Sequence, residues 1–151
     1  MDKTEVVKLL LGDVAEFNKR RLADPSLGPN LDLSGVDLSE ARLGKADLGR
    51  INLSGAKLQG VDLTEAMLTN TNAEGADLQG ANLKGANLHR IRLKGATLKG
   101  ADFEGFSGGC RVCLHSSNFE GVHWAKEQIE AMIHAINRNP DWAVKYEVVP
   151  K

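Results

Sequence analysis

Every fifth residue along most of this chain is apolar. The series runs Leu33, Leu38, Leu43, Leu48, Leu53, Leu58, Leu63, Leu68, Ala73, Leu78, Leu83, Leu88, Leu93, Leu98 and Phe103, and only Ala73 is small. Two residues before each centre sits a second apolar or small residue, as in Ala46, Ala56, Ala76, Ala81, Ala86, Ala96 and Ala101. The unit reads A-[DN]-L-x-G. A period of five fits neither the 3.6 of a helix nor a long two-residue strand alternation. Within a unit, however, the centre and the residue two before it share a side. Each unit is therefore a very short strand followed by a turn, and the Gly-rich last position, as at Gly55, Gly60, Gly75 and Gly80, suits a turn with positive φ.

A slower period of 20 sets the number of units per coil. The inner residue is Leu31, Ile51, Thr71 and Ile91 on one series, while the other three series are almost all Ala, with Val36 and Val61 as exceptions. On the first of these series the turn residue is always Gly (Gly35, Gly55, Gly75, Gly95); on the last it never is (Arg50, Asn70, Arg90). Both regularities require four units per coil, and outward residues 20 apart then become neighbours about 4.8 Å apart in a ladder. Asp37, Lys57 and Asp77 alternate in sign up one such ladder, and Asn52 sits beneath Asn72 on another. Ala73 is the weak rung, leaving a void unless Ile51, Thr71 or Ile91 leans in.

The run from Ile51-Asn52-Leu53-Ser54-Gly55 through Ala86-Asn87-Leu88 resembles the pentapeptide repeat protein family. The resemblance implies an all-β solenoid, a right-handed quadrilateral parallel β-helix. It covers about half of the chain and is specific for fold rather than for function.

A solenoid needs capped ends, because a bare end exposes strand edges and a cross-section of leucines. Three regions are expected: an N-terminal helical cap and linker over 1–30, the solenoid over 31–124, and a C-terminal helix with a short strand over 125–151. Val7, Leu10, Val14 and Phe17 fall at helical spacing after a possible Asp2 cap, predicting one helix over 3–22 that ends before Pro25 and Pro29 and lies over the first coil. Ile129, Met132, Ile133 and Ile136 make a second amphipathic stripe before Pro140, and 143–149 alternates as a strand. That C-terminal region either seals the last coil or pairs two chains, so monomer and homodimer both stay open. Repeat centres resume at Leu114, Phe119 and Trp124, but the step from Phe103 to Leu114 is eleven residues, which predicts an irregular stretch over 104–116 with a bulge near Gly108-Gly109.

Charge and candidate chemistry narrow the function. Lys and Arg total 19 against 20 Asp and Glu, which gives no single-sign field for nucleic acid. The opening MDKTEVVKLLLGDVAEF has a short apolar run broken by Gly12 and Asp13, without a cleavage site, and no run approaches a membrane span. With two cysteines, too few for a disulfide framework, the expectation is a cytoplasmic protein that needs no cofactor and touches neither membrane nor nucleic acid. Cys110, Cys113, His115 and His123 have zinc-ligand chemistry, but their spacing matches no common zinc module and two of them flank a repeat centre, so no metal site is expected. A filled solenoid has flat walls and no pocket for converging acids, bases or nucleophiles, and its glycines are turns rather than a phosphate loop, so no catalytic residue is expected.

Between residues 79 and 101 there is no Asp or Glu, while Lys84, His89, Arg90, Arg92, Lys94 and Lys99 occur. These charges spread over four faces, as a solvated surface would. The candidate partner surface is Arg50, Arg90, Arg92, Lys94 and Lys99, with Arg50 and Arg90 on one corner edge and Asn70 between them. The expected function is a non-enzymatic structural or protein-interaction module whose partner is another protein. The resemblance also implies an alternative, since some family members mimic duplex DNA and modulate DNA gyrase, protecting it from fluoroquinolones. Residues 31–105 hold ten acidic and nine basic residues, a net charge of −1, which argues against a phosphate-like surface.

Overall fold

In the computed structural model, which describes residues 1–106, the five-residue units wind into coils of 20 residues. Eleven parallel bridges join residues 20 apart, from Asp32 with Asn52 to Asn82 with Asp102. Each rung bonds both ways: Leu53 N–H donates to Asn72 O at 2.7 Å, and Asn52 N–H donates to Leu31 O at 2.9 Å. The bridging residue lies between two inward side chains, so the centres and the residues two before them stack into one core. All fifteen centres are buried, as are Ile51, Thr71 and Ile91, while Leu31 and Val36 are half-buried in the first coil. The four walls are named below by their second-coil centres, Leu53, Leu58, Leu63 and Leu68.

Each corner is a turn closed by the next unit's inner N–H on the centre's carbonyl, as from Ala56 to Leu53 at 3.0 Å. Every fifth residue from 30 to 105 has positive φ; nine of the sixteen are Gly and seven are not. The Asp or Asn before each centre has a second duty: its side chain accepts the N–H two residues on, as Asp32 does from Ser34 at 3.0 Å and Asn87 from His89 at 3.1 Å. This local bond preorganises the turn, and it explains the [DN] of the repeat.

The void expected at Ala73 is present. A narrow apolar gap of about 10 Å3 runs along the core axis, bordered by Ala73, Ile91, Phe103 and leucines of all four walls from Leu53 to Leu93. Thr71 does not fill it. Its hydroxyl instead donates to Leu48 O at 2.7 Å, which satisfies a fully buried polar group. Ala73→Leu restores the side chain carried by both ladder neighbours, Leu53 and Leu93. Restored burial less some crowding gives an expected gain of about 1 kcal/mol in urea denaturation; a loss of stability would show that the backbone has closed around alanine.

The N-terminal cap differs from the single helix expected over 3–22. Helix α1 spans Lys3–Gly12 and helix α2 spans Val14–Ala23. Asp13 separates them because it is extended (φ −153°) and its carboxylate accepts Glu16 N–H, starting a new helix immediately after Gly12. Asp2 starts α1 with a reciprocal capping box to Glu5. The buried stripe is accordingly Val6, Leu10 and Phe17, with Val7 and Val14 half-buried. A short 3-10 turn, Pro25–Leu27, then drives Leu27 fully into the core.

The cap sits on the first coil as expected, and polar contacts hold it there. Lys3 Nζ reaches Ser34 O at 3.0 Å, Asn18 both donates to Lys45 O and accepts from Asp47 N, and Arg21 donates to Leu27 O and Gly49 O. No helix among the described residues is long and apolar enough to cross a membrane. Most of the irregular stretch expected over 104–116, the helix and strand expected over 125–151, and Cys110, Cys113, His115 and His123 lie outside the described residues.

Candidate functional site

Most surface charge on the walls is neutralised within the ladders. On the Leu58 wall Lys57 pairs with Asp37 at 3.5 Å. On the Leu63 wall Lys84 pairs with Asp102 at 3.3 Å and Glu104 at 3.0 Å, and at its corner Lys45 pairs with Glu65. On the Leu53 wall Arg92 meets Glu74 at 2.9 Å, while Asn72 donates to Asn52 and Asn52 to Asp32. Exposed pairs of this kind contribute little stability each. They do cancel the local field.

Four acidic groups register these contacts. The backbone N–H and hydroxyl of Ser34, with Lys3 nearby, lower Asp32 from 3.8 to about 2. Ser39 hydrogen bonds lower Asp37, those from Ser26 lower Asp24, and the Arg92 bond lowers Glu74. A carboxylate whose folded pKa is depressed stabilises the fold above its unfolded pKa, and that contribution disappears as pH falls through the folded value. Melting temperature followed by circular dichroism is therefore expected to be flat from pH 7 to 5 and to fall from about pH 4 to pH 2. A melting temperature that rises on acidification contradicts this reading.

The structure divides the five-residue surface expected from sequence. Lys99 stands on the Leu58 wall, and Arg92 and Lys94 on the Leu53 wall, where Glu74 feels both of them. Arg50 and Arg90 stand apart, at the corner between the Leu68 and Leu53 walls. Among the described residues neither side chain has a hydrogen-bond or ion-pair partner, and both are exposed. Their corner is occupied by Asn30, Arg50, Asn70 and Arg90, with φ of 68°, 59°, 58° and 57°. It is the one corner among the described residues without a glycine.

The adjoining Leu68 wall has a single carboxylate, Asp47, which the cap covers through Asn18 and Arg21. Above it stand Met67, 49% exposed, then Thr69, Asn87 and His89. This wall and its corner thus carry positive charge with no exposed acid. The linear sequence hides the asymmetry because acids and bases are nearly equal in total. Folding the chain at period 20 and asking which cations lack a carboxylate one rung away would have found it.

The described residues present no concave site with converging titratable groups; the void beside Ala73 is apolar and too small for a ligand. No group of three or more His, Cys, Asp or Glu among them is arranged to hold a metal ion.

Comparison with known proteins agrees with the coil geometry. The family model for pentapeptide repeats matches in eight copies over residues 32–70, 46–85 and 74–107. Among solved structures, the pentapeptide repeat protein Rfr23 from the cyanobacterium Cyanothece 51142 is 37% identical with a TM-score of 0.51, over 66% of this chain and 63% of that one. HetL from the cyanobacterium Nostoc sp. strain PCC 7120, a pentapeptide repeat protein involved in heterocyst differentiation regulation, is 34% identical over 60% of this chain and 39% of its own, with a TM-score of 0.49. A pentapeptide repeat protein of the Arabidopsis thaliana thylakoid lumen is 27% identical over 69% of this chain and 75% of its own, at a TM-score of 0.47. This chain therefore spans less than two thirds of the length of Rfr23 and of HetL. No curated protein matches the sequence. The 20-residue coil, its stacked leucines and the family match together establish that the chain belongs to the pentapeptide repeat family and folds as its right-handed quadrilateral β-helix.

Proposed function

We propose that this chain is a non-enzymatic protein-interaction module, a rigid four-sided rod that offers a wall and corner to another protein. The observation that supports it best is the uneven distribution of satisfied charge. Cross-rung partners such as Lys57 with Asp37 and Lys84 with Asp102 quiet the other walls, whereas Arg50 and Arg90 border a wall without an exposed acid. Exposed, unpaired arginines beside an accessible Met67 have the composition of a protein contact surface, where Arg and Met are enriched.

A non-catalytic role agrees with the walls themselves. Their acids and bases are solvent-exposed ladder members, with nothing to desolvate them or to orient a proton transfer. A gyrase-directed DNA mimic would need a continuous acidic surface, and here signs alternate from rung to rung, as in Asp37, Lys57 and Asp77.

The test is affinity capture from a native lysate of the source organism using the tagged full chain, with a parallel gyrase supercoiling assay on purified protein. A discrete, stoichiometric protein partner with gyrase unaffected is the expected result. Inhibition or protection of gyrase at low micromolar protein would replace this reading with the DNA-mimic one.

A further inference from the structure

The edge formed by Asn30, Arg50, Asn70 and Arg90 is built against the grain of the fold. A left-handed backbone is unfavourable for a residue with a Cβ by roughly 1–2 kcal/mol, and Asn tolerates it better than Arg. Glycine resolves this at nine other turns. Three further non-Gly turn residues have an outlet: Lys45 and Glu65 pair with each other across one rung, and the Glu40 carboxylate packs over Gly60. Arg50 and Arg90 have none among the described residues.

Their spacing is informative. They lie two rungs apart, which is about 9.6 Å, with Asn70 midway. A polyproline II helix repeats every three residues at about 3.1 Å each, or about 9.3 Å per turn. An extended β-strand returns to the same side after two residues, or about 6.8 Å. Carboxylates at every third residue of a polyproline II segment would therefore meet Arg50 and Arg90 in register, whereas those of a strand would not. Guanidinium groups bind carboxylates in a planar, two-pronged fashion, and the amide of Asn70 stands between them to hydrogen-bond the segment's backbone.

Resting on the interaction-module reading, we infer that the Asn30–Arg90 edge is a docking rail for an acidic, proline-rich protein segment with a carboxylate at every third position. Met67, exposed on the wall beside the rail, supplies the apolar contact for the intervening residues. A nucleic acid is the poorer fit, because a duplex strand presents a phosphate for about every 3.4 Å of rise, a far denser row than two arginines two rungs apart.

The probe is a fluorescein-labelled peptide of four Glu-Pro-Pro repeats, followed by anisotropy against the full chain at 50 mM salt. Comparators are four Gln-Pro-Pro repeats, an alternating Glu-Thr peptide of equal charge, and a twelve-residue oligothymidylate. The Glu-Pro-Pro peptide is expected to bind at least tenfold more tightly than each comparator and to weaken as salt rises to 300 mM. The double variant R50G/R90G is expected to lose at least tenfold in affinity while its melting temperature stays level or rises, since glycine relieves the left-handed turns. K57Q, which removes a cation already paired with Asp37, is expected to bind within twofold of the unaltered chain.

Equal binding of the Gln-Pro-Pro peptide, tighter binding of the alternating peptide or the oligonucleotide, or undiminished binding by R50G/R90G overturns the rail. If the rail fails in this way while a partner is still captured from lysate, the interaction-module reading stands without it. Failure of capture as well removes both.

Discussion

Truncation of Leu53 to alanine is expected to destabilise the chain by about 4 kcal/mol, above the middle of the range for buried leucines. Leu53 stacks directly below Ala73, where the axial gap already lies. Removing its branch joins a new cavity to that gap, and the rigid rungs at 2.7–3.0 Å hydrogen-bond distance on either side resist collapse. Leu43 provides the comparison, because it is equally buried and does not border the gap. Leu43→Ala is expected to cost about 1 kcal/mol less than Leu53→Ala in urea denaturation. Equal losses would mean that the core relaxes evenly around any missing side chain and that the Ala73 rung is no special weakness.

Replacement of Arg21 by alanine is expected to cost about 2–4 kcal/mol, although the residue lies outside the repeats. Its side chain is only 8% exposed. The guanidinium donates to Leu27 O at 2.7 Å and Gly49 O at 2.8 Å, lies 5.9 Å from the centroid of the Phe17 ring, and brings Nε to 3.5 Å from Asp47 as an ion pair rather than a hydrogen bond. One side chain thereby ties α2, the 3-10 turn and the first coil together. Its loss strands two carbonyl groups and one oxygen of Asp47 in a half-buried seam. Arg21→Lys, which keeps the charge but not the fork, is expected to fall between. Limited proteolysis gives the second readout: cleavage within residues 1–30 should accelerate in Arg21→Ala before the coils unfold. An unchanged urea midpoint and cleavage rate would show that apolar contacts of Leu10, Phe17 and Leu27 suffice to hold the cap.

The coil could be read directly from the sequence because its spacing repeats without exception over fifteen units. A 20-residue period in Leu31, Ile51, Thr71 and Ile91 is a statement about register, and the bridges follow it rung for rung. The void at Ala73 was legible for the same reason. Where the repeat ends, that leverage ends too. The stripe of Val7, Leu10, Val14 and Phe17 tolerates either one helix or two, and the choice fell to Asp13, whose carboxylate closes on Glu16 N–H instead of continuing the helix.

The surface was legible only in part. Lys84 through Lys99 are neighbours in sequence, yet they are shared out among the four walls, and Lys84 and Arg92 find acids one rung away that the linear reading placed at a distance. The role of the repeat's Asp and Asn was also hidden, because an outward ladder position and an acceptor for the N–H two residues on look the same in a sequence. Positive φ at Arg50 and Arg90 follows from their place at the fifth position of the unit, although their series has no glycine to signal it.

The measurement that bears most directly on the account is quantitative mass spectrometry of proteins captured from native lysate by the unaltered full chain and by R50G/R90G, side by side. The account predicts one dominant partner on the unaltered chain, depleted at least tenfold on the folded double variant. Recovery of the same partner in equal amount on both would contradict it and move the working surface to another wall.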